Sequence, residues 1–139
     1  MSSLWHARLT SAFLCLFLAS PAQALDQDIK DLMQELLRGM AAIQEGILMD
    51  DYTKIATNAE AIVYHRGPNA DARLAISNEL GIEVPTFQIL NDSVRRKART
   101  LKQAAEDNDQ KDVLNAYNEL TKACTRCHNN YRKRLRRIN

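Results

Sequence analysis

The sequence predicts an all-α protein, an antiparallel four-helix bundle. Three observations carry that expectation. Apolar residues recur at spacings of three and four in four separate stretches, the period of one buried helix face, and no stretch alternates as a half-buried strand would. Aromatic residues make up 6% of the chain against 45% apolar residues, with four Gly and three Pro, a balance that favours helix over sheet. The links between periodic stretches are mostly short, which sets consecutive helices antiparallel. A length of 139 residues suffices for one domain with a core.

Residues 1–24 read as a cleaved signal peptide, leaving 25–139 as the bundle domain. His6 and Arg8 stand in a short polar start, and Ala12 to Ala19 form an apolar run. Pro21-Ala22-Gln23-Ala24 ends in the small-x-small pattern that signal peptidase accepts. The run is too short to span a bilayer, and no later one comes close, so no stable membrane span is expected. Cys15 lacks the preceding small residue of a lipoprotein site. The mature chain would keep only Cys124 and Cys127, which excludes a disulfide framework beyond that pair.

The first helix is expected from Asp26 to Met49, with Ile29, Leu32, Met33, Leu36, Met40, Ile43 and Ile47 as its apolar stripe; Asp26 and Asp28 favour its N-terminus. The second runs from Tyr52 to Tyr64, capped by Asp50 or Asp51, with Ile55, Ala59, Ile62 and Val63 inward. Arg66-Gly67-Pro68-Asn69 ends it. In the long connection 69–84, Ala72, Leu74, Ala75 and Leu80 suggest a short helix stopped by Gly81. The third helix starts at Pro85, a residue suited to a first turn, and runs to Glu106 with Phe87, Leu90, Val94, Leu101 and Ala105 inward. Asp107-Asn108-Asp109 is a turn, and Asp109 caps the fourth helix. Val113, Leu114, Tyr117, Leu120, Cys124, Cys127, Tyr131 and Leu135 mark that helix's buried face.

The fourth helix carries Cys124-Thr125-Arg126-Cys127-His128. Cys-x-x-Cys-His is the attachment pattern of a c-type haem: the thiols add across the vinyl groups and the histidine is the proximal iron ligand. On a helix, the three side chains at i, i+3 and i+4 share one face. A thioredoxin-like redox pair would need a βαβ context, and a zinc site would need two further ligands. Only His65 remains in the mature chain, and its place at the end of the second helix reads as a surface or capping residue. One haem c per chain is therefore expected. Export agrees with it, since c-type haem is assembled outside the cytoplasm, and the expected location is the periplasm.

An exported four-helix chain with Cys-x-x-Cys-His on its last helix resembles the class II cytochromes c, the cytochrome c′ family. The stretch Cys124 to Arg132 is similar to that family's C-terminal signature, with an aromatic residue (Tyr131) three after the histidine and a basic one (Arg132) at four. Leu32-Met33-Gln34-Glu35-Leu36-Leu37-Arg38-Gly39-Met40 resembles the low-spin branch. There a methionine early in helix one is the sixth iron ligand, an arginine follows it by five and a second methionine by seven. High-spin members often carry a basic residue one turn before that position, where this chain has Ile29. The resemblance implies Met33 as distal ligand, with Met40 packing nearby; the alternative is core filling by a methionine on an apolar stripe. It also implies that Arg38 reaches a haem propionate and that Arg132 influences the pocket; the alternatives are a solvated helix residue and a partner for the helix dipole. Many members dimerise through the first two helices, but the outer face here carries no decisive apolar stripe, so a homodimer stays open.

A His128/Met33 iron implies a single-electron carrier, since methionine favours the reduced state. The alternative is a five-coordinate haem protein that binds NO or CO as sensor or scavenger; a third reading is an assembly role with haem as structural support. No paired carboxylates, nucleophile–base set or phosphate loop suggest an enzyme. The formal charge is only +2, yet residues 120–139 hold Lys122, Arg126, Arg132, Lys133, Arg134, Arg136 and Arg137 and no acid. This tail is either a solvated helix end or a docking patch for an acidic redox partner. Nucleic acid is not expected for an exported protein, and lipid binding would need a broader apolar face.

Overall fold

A computed structural model describes residues 21–138, all of whose regular structure is helical. Helices α1 (Pro21–Leu48), α2 (Tyr52–Val63), α4 (Val84–Glu106) and α5 (Gln110–Leu135) form the bundle. A short α3 (Ala70–Leu80) and a 3₁₀ turn (Gly81–Glu83) lie in the connection between α2 and α4. The all-α antiparallel bundle is the fold. The expected leader lies outside the described residues except for 21–24, which form the first turn of α1. That helix starts earlier than its acidic residues suggested because Ala22 to Leu25 are helix formers and Pro21 suits a first turn.

Each boundary has a local cause. Asp51 caps α2 by accepting from the Lys54 N–H at 2.9 Å, while Asp50 takes the left-handed conformation (φ 52°) that ends α1. Asn69 caps α3 through the Ala72 N–H at 2.8 Å. Asp109 caps α5 through the Asp112 N–H at 2.9 Å, after Asn108 at φ 54°. Aspartate and asparagine tolerate this conformation better than other non-glycine residues.

Packing is sequential and antiparallel: α1 on α2, α2 on α4, α4 on α5. The α1–α2 interface is tight at Gly46. A Cβ there would stand 2.8 Å from the Ile55 side chain and 3.1 Å from the Asp51 carbonyl oxygen. A Cβ on Gly39 would meet Ile62 at an ordinary 3.4 Å.

The interior divides into two clusters. The larger joins α1, α2, α4 and α5 around Ile43, Ile55, Leu101, Val113 and Leu120. The smaller gathers Ile76 and Leu80 of α3, Leu90 of α4, and Tyr131 and Ile138 of the C-terminal segment. There the Phe87 and Tyr131 rings meet edge to face at 5.3 Å and 88°. The inward set expected for α2 is the buried set. On α5, Leu114 is 49% exposed instead, because Val113, Ala116, Leu120 and Ala123 define the buried face.

Candidate haem site

Two facts place the site. First, α1 and α5 make almost no direct contact among the described residues, although both belong to the same bundle. Second, the Cys-x-x-Cys-His segment lies on α5 where the two apolar clusters meet. Cys124 packs against the larger cluster, as do Leu36 and Met40 of α1. Cys127 packs against the smaller one, as does Ile29 of α1. The thiol pair of α5 and residues 29–36 of α1 therefore stand at the same level of the bundle, on the two helices that do not close on one another.

Cys124 and Cys127 are free, half-buried thiols, and burial pushes both up from the usual cysteine range. A dithiol oxidoreductase needs the opposite, a nearby positive charge or helix N-terminus that lowers a thiol. Two half-buried thiols one turn apart at a helix's mid-face instead suit anchoring a group that packs against α5. His128 follows on the outer edge of this face. Burial lowers its proton affinity, and the Arg132 charge one turn on lowers it further. Both effects favour the neutral imidazole that binds iron. Two half-buried thiols with an exposed imidazole beside them are a donor set that fits a covalently held haem.

Met33 is 40% exposed while its neighbour Leu32 is 4% exposed in the core. Sequence periodicity expected both on one buried stripe; Met33 instead sits on its rim. By helical spacing it falls between Ile29 and Leu36, at the level of Cys124 and Cys127. Leu37, one position off this face, is 68% exposed. Arg38 and Arg132 are both exposed, Arg38 on α1 and Arg132 on α5.

His65 corrects an expectation. It is 6% exposed rather than a surface residue. Its Nδ1–H donates to the Ile62 carbonyl at 2.6 Å, which leaves Nε2 to accept from the Arg95 guanidinium at 3.2 Å. Arg95 also donates to the carbonyls of Val63 (2.6 Å) and His65 (3.0 Å). Both ring nitrogens are occupied, so His65 is a buried latch between the end of α2 and α4. Its proton affinity is lowered, chiefly by burial and then by Arg95.

The basic tail is also less uniform than its sequence. Arg134 turns inward, donating to Glu83 at 2.5 Å, to the Glu79 carboxylate at 3.4 Å and to the Glu79 carbonyl at 2.8 Å. It ties α5 to α3. Nothing in the local sequence marks it apart from its neighbours, because its partners lie more than fifty residues away.

An α-helical bundle with two thiols and an imidazole on one helix, at the level of a helix it barely contacts, suits a haem held inside the bundle. The family model described as Cytochrome C′ matches residues 22–132, and the chain belongs to the cytochrome c′ family. Covalently attached haem c, typically one per chain, is that family's cofactor. Comparison with curated proteins and with solved structures gave no match.

Proposed function

We propose that the chain is a periplasmic electron carrier rather than an enzyme. The haem, when bound, supplies an iron that takes up and releases one electron at a time. Cys124 and Cys127 would hold it to α5, with His128 on one side of the iron and Met33 on the other. The observation that carries the reading is the half-exposed thioether of Met33, on the rim of α1 at the level of the thiol pair. A methionine that served only to fill the core would sit where Leu32 does. His128 and Met33 would together give the iron two protein ligands, which suits electron transfer over gas binding. Arg38 and Arg132, on the two facing helices, are the cations proposed to meet the propionates or tune the pocket. Periplasmic location rests on residues 1–24 and on the requirements of c-type haem assembly.

Absorption spectra of the haem-loaded protein, ferric and ferrous, with and without carbon monoxide, test this. The expected result is a low-spin spectrum with a far-red methionine–iron band, unmoved by the gas. Met33→Ala should convert it to a high-spin, gas-responsive spectrum. A wild-type protein that is already high-spin and binds carbon monoxide removes Met33 as ligand and supports the NO- or CO-binding reading.

A further inference from the structure

Five cations of the bundle body meet acids: Lys54 with Glu45, Arg66 with Asp28, Lys97 and Lys122 with Glu119, Lys102 with Glu60 and Glu106. Arg38, Arg96, Arg99 and Lys111 meet none among the described residues, but they are spread over three helices. On the last turns of α5 only Arg134 meets acids. Arg126, Arg132, Lys133, Arg136 and Arg137 meet no acidic group among the described residues, and all five are exposed.

Their spacing makes a surface. Arg132, and Arg136 in the turn just past α5, continue the line of His128 by one and two turns. Arg126, Lys133 and Arg137, at intervals of seven and four, form a second row further round the helix. Arg134 is turned away toward α3, so it leaves the face positive without belonging to it. Such an arrangement is unfavourable in the isolated protein, since like charges four residues apart on a helix repel one another. The helix dipole accounts for Arg132 and Lys133 in the last turn, but not for Arg126. The C-terminal end carries roughly half a negative charge, felt within the last turn, and Arg126 lies well before that turn. An external anionic surface would relieve the repulsion.

We propose that this face of α5 is the docking surface for an acidic redox protein. The inference rests on the electron-carrier reading and names its partner: an exchange protein whose contact face is rich in carboxylates. Opposite charges would steer it to the helix that carries Cys124, Cys127 and His128, which raises the rate of productive encounter. A lipid surface fits less well. Between Cys124 and Ile138 no large apolar side chain stands exposed, so the helix has nothing to insert.

The test uses the haem-loaded protein and stopped-flow electron exchange with three probes: an acidic blue copper protein, a basic one, and a small neutral ferrocene derivative. With the acidic probe the second-order rate should fall about ten-fold or more between low and high salt. The basic probe should show the opposite slope and the ferrocene none. The charge reversal K133E/R136E/R137E should remove the salt dependence with the acidic probe, cut its low-salt rate about ten-fold, and leave ferrocene exchange unchanged. The glutamine counterparts at the same positions should give an intermediate loss, which guards against misfolding of the reversal. A flat salt profile with normal ferrocene exchange overturns the docking surface alone. Absence of exchange even with ferrocene overturns the carrier reading beneath it. Binding to phosphatidylglycerol vesicles that is lost on reversal, with the acidic-probe rate unaltered, overturns the protein partner in favour of a membrane.

Discussion

The two ends of the bundle are held by different physics. At one end, α1 turns into α2 and α4 into α5 within three residues each, and the larger cluster closes over fully buried Ile43, Ile55, Leu101, Val113 and Leu120. At the other end the chain takes the long route through α3. Polar staples between distant residues do much of the holding: Asp28 with Arg66 and the Asn69 N–H, His65 with Arg95, Arg134 with Glu79 and Glu83. The Cys-x-x-Cys-His segment lies where the two regimes meet. Apolar packing resists deformation because interiors are close-packed; staples of titratable and charged groups respond to pH and, where exposed, to salt. The first end supports the haem site, and the second is the part that solution conditions can loosen.

The largest test of the comparison is a cavity in the tight end. Leu120→Ala removes most of a fully buried side chain and should cost about 3 kcal/mol, within the usual 2–5 range, in denaturant unfolding of the haem-loaded protein. A loss under about 1 kcal/mol would mean that the larger cluster is not the rigid support described. Gly46→Ala comes next. Its new methyl meets the Ile55 side chain at 2.8 Å with the Asp51 carbonyl behind, and the expected loss is about 1–3 kcal/mol. Gly39→Ala, with ordinary contact distances, should be neutral or gain several tenths, because glycine in a helix is itself unfavourable by roughly 1 kcal/mol. Equal effects at the two glycines would refute the close approach at Gly46.

The same contrast explains what could be read before the structure. The tight end was legible because its signals are local: periodic Ile, Leu and Val, and the caps Asp51 and Asp109. Ala59 and Ala105 read inward with their stripes, but four further alanines do not. Ala98, Ala104, Ala116 and Ala123 are buried, yet alanine carries too weak an apolar signal to orient a helix face, which is why Leu114 was placed inward and stands half-exposed. Gly46 has no side chain to signal its close approach. At the stapled end the partners of His65, Asp28 and Arg134 lie 30, 38 and more than 50 residues away, beyond any local pattern. Cys124, Cys127 and His128 form a motif that can be read locally, whereas only the family resemblance singles out Met33 as the proposed ligand, and periodicity does not foretell its position at the rim beside buried Leu32.

The stapled end should show its character with pH. A histidine in the unfolded chain titrates near 6.5, and His65 lies below that in the fold because it is buried and faces Arg95. Between the folded and unfolded values the unfolded chain binds the extra proton, so stability falls as pH drops below about 6.5 and levels off once the folded value is passed. The contribution of His65 to the slope cannot exceed about 1.4 kcal/mol per pH unit. His65→Gln should flatten the profile between pH 6.5 and 5 while lowering stability at pH 8. An unchanged profile would show that the latch is not what titrates.

The smallest expected effect is the most local. Arg134 and its acids are each between about a quarter and a half exposed, so solvent screens the network and it adds little to global stability. Arg134→Ala should barely move the unfolding midpoint. Its consequence lies in where the chain opens. Without the guanidinium, α3 and the following turn are tied to α5 only by the small cluster around Ile76, Leu80 and Tyr131. Amide hydrogen exchange in residues 70–83 should then accelerate severalfold, while α2 and the C-terminal half of α4 exchange as before. Acceleration spread evenly over all helices would mean that the two ends share one cooperative unit. Acceleration confined to 70–83 would separate them, and would show that α3 can loosen without disturbing the helix that carries Cys124, Cys127 and His128.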